Sequence, residues 1–319
     1  MERTIDDLTP LLDPELAEVF RSLPRVNLVD LSVEQLVARR KATAVPPTPA
    51  PSGVVIENSA IPGRTSADPP VNVRVYRPSR ARSAPVVLWI HGGGFVGGSV
   101  NGNDPLLIRW VRAAGCAAVS VDYRLAPEHV YPAATDDCYA ALQWIAQAPK
   151  ALGVAPTRII IAGASAGGCL AAAVALIARD LGGPELCHQF LVIPVLDDRY
   201  LTASSTRIAD PRVWNVANSR SGWRYYLGPL HGGDVSSYAA PARATNLAGL
   251  PPTTIHVEEL DGLRDEAVDY ATRLTLAGVS TELVVYPGTF HGHYALIPQA
   301  EISKRTARDM DEVIQRSCR

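Results

Sequence analysis

The spacing of apolar positions changes along the chain, and each change predicts a different kind of element. In residues 1–45 apolar side chains recur at helical spacing over Pro14–Ser22 and Ser32–Arg40. Ser32 opens a Ser-Val-Glu-Gln run, which puts Gln35 at the capping-box position. Ala44–Gly53, AVPPTPAPSG, then reads as a stiff proline-rich linker. Beyond it, Val54–Glu57 and Val71–Tyr76 read as strands, the second alternating apolar and polar. Pro85–Ile90, PVVLWI, is a continuous apolar run ending at glycines, the pattern of a strand buried on both faces. Further short apolar runs follow at Ala117–Val121, Arg158–Ala162, Phe190–Pro194, Thr253–Glu258 and Glu282–Tyr286. Helices are predicted at Pro105–Ala114, Ala133–Ala148, Gly167–Arg179 and Arg264–Ala277, and a last one at about Glu301–Ser317. Strand and helix in alternation predict an α/β fold with a mostly parallel central sheet flanked by helices.

One stretch breaks the alternation. Between Leu196 and about Ser236 no clear strand pattern appears, yet Trp214, Trp223, Tyr225 and Tyr226 gather there in a chain that is 6% aromatic. It reads as a helical insertion over one end of the sheet, or as an irregular surface excursion with its own small core.

Composition narrows the class. With 319 residues, 47% hydrophobic and 19% charged, the chain has the makings of a large core rather than disorder. A net charge of −2 offers no excess of cations for phosphates, which argues against a nucleic-acid partner. The longest apolar run, Cys169 to Ala178, falls short of the roughly 20 residues a membrane span needs, so no membrane insertion is expected. The N-terminus mixes acidic with basic residues and lacks an apolar h-region, so it does not read as a secretory signal. Cys116, Cys138, Cys169, Cys187 and Cys318 are widely spaced, with no Cys-x-x-Cys pair. That suits reduced thiols and a cytoplasmic location better than disulfides or a zinc site.

Two motifs carry chemistry. Gly163-Ala-Ser165-Ala-Gly167 follows the strand pattern RIIIA and precedes a helix pattern, the setting of a nucleophile elbow. A serine on so sharp a turn needs small neighbours, and the helix starting behind it directs N–H groups at the site. The second motif, His91-Gly92-Gly93-Gly94-Phe95, ends the PVVLWI strand. Successive glycines can present unobstructed backbone N–H groups to an oxyanion. A phosphate cradle would want a lysine nearby, and the segment has none.

With these motifs, and with Asp122-Tyr-Arg-Leu-Ala-Pro-Glu-His-Val-Tyr-Pro-Ala133, the chain resembles the hormone-sensitive-lipase-like, bacterial HGGG-type esterases of the α/β-hydrolase superfamily. The resemblance runs from about Val54 to the C-terminus, more weakly into the N-terminal helices. It implies an α/β-hydrolase fold with a helical cap: cap helices at 1–45, a catalytic domain at 46–319, and a cap insertion at about 196–236. Asp122, Arg124 and Glu128 read as structural supports beneath the oxyanion loop.

In this fold the triad runs Ser, Asp or Glu, then His along the chain. Of seven histidines, His291 and His293 follow the last strand pattern. The family's Y-P-G-x-x-H-G-F resembles Tyr286–Gly292 and assigns the base to His291; His293 stands where the family usually has Phe, as pocket lining or as a surface polar residue. The family's D-P-L-R-D-E maps its first Asp onto Asp261, with Gly262 in place of Pro; Asp265, one helical turn later, reads as a helix cap or pairing residue, and Glu258 and Glu259 are rivals. Ala164 stands where many relatives have Asp or Thr. The resemblance also implies oxyanion donors at Gly93, Gly94 and Ala166, with Gly92 as a further contributor. No metal or other cofactor is implied. Phe95, Trp214, Trp223 and Tyr225, with Tyr226, are candidate pocket walls, with the alternative that one or two of the cap aromatics form the cap's core.

The expected activity is hydrolysis of small-molecule esters with short to medium acyl chains, through an acyl-enzyme on Ser165. The same triad would serve a lactonase, amidase, deacetylase or acyltransferase. A binding receptor on a hydrolase scaffold would be expected to lose a triad member, and all are present. The family habit of pairing through an edge strand and terminal helix makes a homodimer through Glu282–Tyr286 and the last helix an expectation.

Overall fold

The computed structural model describes residues 4–147 and 150–319. Eight strands form one sheet: β1 (Val54–Ile61), β2 (Val71–Pro78), β3 (Ser83–Ile90), β4 (Ala117–Asp122), β5 (Ala155–Ala164), β6 (His188–Val192), β7 (Thr253–Glu258) and β8 (Thr281–Tyr286). Their order is β1-β2-β4-β3-β5-β6-β7-β8. The β1/β2 and β2/β4 pairs are antiparallel, and every pair from β4/β3 to β7/β8 is parallel. The helices are α1 (Pro14–Phe20), α2 (Val33–Ala42), α3 (Asp104–Ala114), α4 (Ala133–Ala146), α5 (Ala166–Asp180), α6 (Ala203–Arg207), α7 (Val216–Leu227), α8 (Arg264–Leu276), α9 (His293–Leu296) and α10 (Glu301–Ser317).

The apolar run of β3 explains the layering. Val86, Leu88 and Ile90 join the larger apolar cluster, with residues of α4, α5 and α8. Val87 and Trp89 point the other way, into a second cluster with Leu107 and Trp110 of α3 and Val313 and Ile314 of α10. Alternate side chains of one strand therefore fill both faces, as a parallel sheet wrapped by helices requires. Strand β1 runs on past the predicted Glu57 to Ile61, because its ladder with β2 continues to Ile61↔Val71. The polar Asn58 and Ser59, the first exposed and the second half-buried, hide that extension from a hydrophobicity reading. The helix predicted to reach Ala148 ends at Ala146, and Ala148 lies outside the described residues.

The N-terminal segment lies against the stretch that breaks the alternation. Ser32 caps α2 with both capping-box bonds to Gln35. Helix α1 stops at Phe20, two residues short of the predicted end; Leu23 precedes Pro24 and is biased away from helical geometry. Leu8, Leu12, Leu16 and Phe20 pack with Ile208, Val213, Phe290 and Ile297. The contact is also polar: Leu8 N–H donates to Asp210 at 2.9 Å, Leu28 N–H to Asn218 at 2.8 Å, and Tyr225 Oη to Leu31 O at 2.8 Å.

Candidate active site

Ser165 sits between β5 and α5 at φ 56°, ψ −119°, a backbone state L-residues rarely adopt. The turn is held from both sides: Ser165 N–H donates to Val192 O at 2.9 Å, and Val195 N–H donates back to Ser165 O at 3.2 Å. Close approach makes glycine necessary at 167, where a Cβ would lie 2.0 Å from Ile90 O. This contact sets the elbow against the end of β3, where the triple glycine begins. A Cβ on Gly92 would stand 3.3 Å from Ser165 Cβ, so the two motifs predicted from sequence lie side by side. Ala166 opens α5, so its N–H is among those a helix leaves free at its start.

The other two candidates converge on the serine. His291 Nε2 lies 3.1 Å from Ser165 Oγ, and His291 Nδ1 lies 2.6 Å from Asp261 Oδ2. The second carboxylate oxygen of Asp261 accepts the Leu263 N–H at 3.0 Å, which fixes the group's orientation. Asp261 comes from the turn after β7 and His291 from the loop after β8, so neighbouring parallel strands deliver them to one end of the sheet. Asp265 bonds instead to Ser204 N–H, at 2.8 Å, and Glu259 accepts the Gly288 N–H at 2.7 Å. Neither contacts His291. Burial alone would lower the His291 pKa. The Asp261 charge and hydrogen bond, with the Glu258 charge, outweigh it and hold the imidazole above the ordinary histidine value.

The oxyanion loop is braced from below. Tyr123 Oη donates to His91 O at 2.9 Å, and the two rings stack with centroids 4.3 Å apart. Burial pushes the His91 pKa down to about 4, so its ring is neutral at ordinary pH. Arg40 of α2 donates to Val96 O at 2.6 Å, to Ala126 O at 2.6 Å and to Glu128. Arg124 pairs with Asp137 at 2.7 Å. Asp122 is exposed at the end of β4, and its carboxylate is hydrogen-bonded to the Asn72 side chain of β2. Tyr123 occupies the supporting place instead. Strand alternation offers the signal for it, since Tyr123 shares the buried face of Val119 and Val121.

The aromatic candidates divide. A cavity of about 240 Å³ beside the oxyanion loop is lined by Trp214 together with Val26, Leu28, Leu36, Arg39, Gly93 and Val96. Trp214 also stands 6.2 Å from the His291 ring, centroid to centroid. Phe95, by contrast, is buried and stacked on Tyr226 at 4.1 Å, with Trp223 at 5.4 Å. These three build a core beneath the loop rather than walls of that cavity. Tyr225 spends its hydroxyl on Leu28 O and Leu31 O. His293 is a larger departure from the expectation of pocket lining or surface polarity. Its ring is fully buried and its Nδ1 lies 2.7 Å from Glu258. Residue type alone says that an aromatic is buried, not against what, and the strand position of Glu258 hid its role.

Among the described residues, no group of three or more His, Cys, Asp or Glu is placed to hold a metal ion. No helix there is long and apolar enough to cross a membrane.

A family model described as the alpha/beta hydrolase fold matches residues 87–295. Esterase LipI of Mycobacterium tuberculosis is 36% identical over 92% of this chain and 91% of its own length. Carboxylesterase NlhH of the same organism is 38% identical over 91% of this chain and 92% of its own. The solved structure of a bacterial heroin esterase superposes with a TM-score of 0.89 at 43% identity, covering 98% of this chain and all of that one. On fold, strand order and these matches, the chain belongs to the α/β-hydrolase family, in its hormone-sensitive-lipase-like esterase branch.

Proposed function

We propose that this protein is a serine carboxylesterase that forms an acyl-enzyme on Ser165. One observation carries the reading: Ser165, His291 and Asp261 form a continuous hydrogen-bonded chain of 3.1 and 2.6 Å, beside a glycine loop free of side chains. A serine hydroxyl is a weak nucleophile until an imidazole takes its proton. His291 Nε2 accepts that proton as Oγ attacks the ester carbonyl, and later protonates the leaving alcohol. Asp261 keeps Nδ1 protonated and stabilises the imidazolium. The N–H groups of Gly93, Gly94 and Ala166, with Gly92 contributing, receive the developing oxyanion. One such donor is worth about 10²–10³-fold in turnover. A water activated by His291 then releases the acid.

The N-terminal helices and residues 196–236 act in this reading as the cap over the site. Short to medium acyl chains are the proposed class, as the resemblance implies; Trp214, which lines the cavity beside Gly93, stands 6.2 Å from the His291 ring on the side where an acyl chain would lie. Edge strand β8, with half-exposed Leu283 and Val285, joins α10 as the proposed homodimer face, and light scattering of the purified chain tests it. Five free cysteines accord with a cytoplasmic location.

The deciding experiment is turnover of p-nitrophenyl butyrate by the wild type and by Ser165→Ala. The variant is expected to lose at least about 10³-fold while keeping its circular dichroism spectrum. An inert wild type, or a variant that retains its rate, overturns the assignment.

A further inference from the structure

A second carboxylate–imidazole pair lies beside the first and is absent from the mechanism above. Glu258 ends β7, three positions before Asp261 in sequence, and is 1% exposed; His293 follows His291 by two positions and is 0% exposed. Glu258 Oε1 lies 2.7 Å from His293 Nδ1. Its other oxygen accepts the Gly292 N–H at 2.9 Å. Gly292 joins the two histidines, so one carboxylate grips the chain directly after the catalytic base and again one residue later. The far ring nitrogen, His293 Nε2, lies 3.3 Å from Thr306 Oγ1 of α10, which in turn donates to Ile302 O at 3.0 Å. The loop carrying His291 is thus tied to β7 on one side and to α10 on the other.

We propose that Glu258 and His293 are positioning residues for His291, holding its loop so that Nε2 stays within reach of Ser165 Oγ; the proposal rests on the esterase reading. A buried carboxylate is costly to keep ionised unless it is paired and hydrogen-bonded. This one lies next to a second buried carboxylate, Asp261. An apolar pair of similar volume would fill the space without that cost, but would leave the Gly292 N–H without an acceptor. The loop's geometry matters because a misplacement of about 1 Å in a catalytic group costs on the order of 10²-fold.

The surroundings of the pair bear on its charge. Glu258 faces His291 from the β8–α9 loop, His293 and Tyr294 from α9, Asp261 from the turn after β7 and Tyr286 from β8. Tyr286 Oη donates to Asp309 of α10 at 3.0 Å, and Asp309 lies 3.7 Å from Arg305. Burial raises the Glu258 pKa, His293 opposes that rise, and the Asp261 charge adds to it. The Glu258 charge is also one of the influences that hold the His291 pKa up.

The test measures kcat and KM for p-nitrophenyl butyrate from pH 5 to 9, and the rate at which an organophosphate inactivates Ser165. The full chain is compared with E258A, E258Q, H293F and E258A/H293F. In E258A, kcat and the inactivation rate are expected to fall together by about 10- to 100-fold with KM nearly unchanged. E258Q should recover most of this loss. Its amide oxygen can accept the Gly292 N–H, and its NH₂ can donate to His293 Nδ1 while His293 Nε2–H turns to Thr306. Its acid limb should move to lower pH, because a negative charge near His291 is gone. The double variant packs the site with apolar atoms, so it should fold even if E258A does not, and it should keep the kcat defect. A double variant with wild-type kcat, or an E258Q no faster than E258A or the double variant and with an unmoved acid limb, overturns the proposal. A wild type that does not hydrolyse the ester at all overturns the esterase reading first, and this inference with it.

Discussion

Asp261 and His291 are 30 positions apart in the chain, and their side chains meet at 2.6 Å. The carboxylate is 1% exposed, and one oxygen is already engaged by the Leu263 N–H. The oxygen facing the imidazole therefore accepts a proton held on Nδ1, and Nε2 is left as the acceptor facing Ser165. Asp261→Asn keeps the shape but favours the wrong tautomer, since its NH₂ can donate to Nδ1. Ester turnover is expected to fall by about 10⁴-fold with little change in KM. A variant within tenfold of the wild type would move the acid elsewhere.

The same contact sets a pH dependence. The ordinary histidine pKa is 6.5, and His291 lies above it because Asp261 and Glu258 outweigh the effect of burial. The protonated ring cannot take the serine proton, so kcat/KM should fall as pH drops through this raised value. The midpoint of the acid limb is therefore expected above pH 6.5. A profile flat between pH 5 and 8 would exclude His291 as the base.

Gly94 tests the fit between the oxyanion loop and the aromatic wall. Its φ is +61°, and a Cβ there would lie 2.3 Å from the Trp214 ring. Gly94→Ala must therefore strain the backbone, push Trp214 toward the cavity, or move the donor N–H away. A loss of about 10²-fold in kcat is expected, the cost of one oxyanion donor, accompanied by a change in tryptophan fluorescence. Unchanged kcat would remove this loop from the oxyanion site.

What was readable in advance, and what was not, follows from how local each signal is. Gly163–Gly167 and His91–Gly94 are contiguous motifs, each at the end of an apolar strand, so their identity and setting could be read together. Their closeness in space follows from β3 and β5 being neighbours in the sheet. Asp261 had sequence rivals in Glu258 and Glu259, because type and position alone do not say which carboxylate points at the imidazole, whereas Asp265 pairs with Arg264 as its helical position suggested. The buried cluster of Phe95, Trp223 and Tyr226 was equally hidden, since an aromatic residue fills a core or lines a pocket with the same side chain. The Glu258–His293 pair depends on the β7/β8 register and on the fold of the loop after β8, neither of which any spacing in the chain reports.

Trp214 gives a test of specificity. It lines the small cavity next to Gly93 and stands near His291. Trp214→Ala would enlarge that space by most of an indole ring, while the buried Phe95–Tyr226 stack stays in place. Across a series of p-nitrophenyl esters from acetate to dodecanoate, the optimum of kcat/KM should move to longer chains, and short esters should lose affinity as apolar contacts disappear. Replacing Tyr225 by Phe provides the contrast, because its hydroxyl serves Leu28 and Leu31 on the N-terminal segment. It should leave the optimum where it is and loosen that segment, seen as faster amide exchange at Leu28–Leu31. An unmoved optimum in Trp214→Ala would show that acyl chains lie elsewhere.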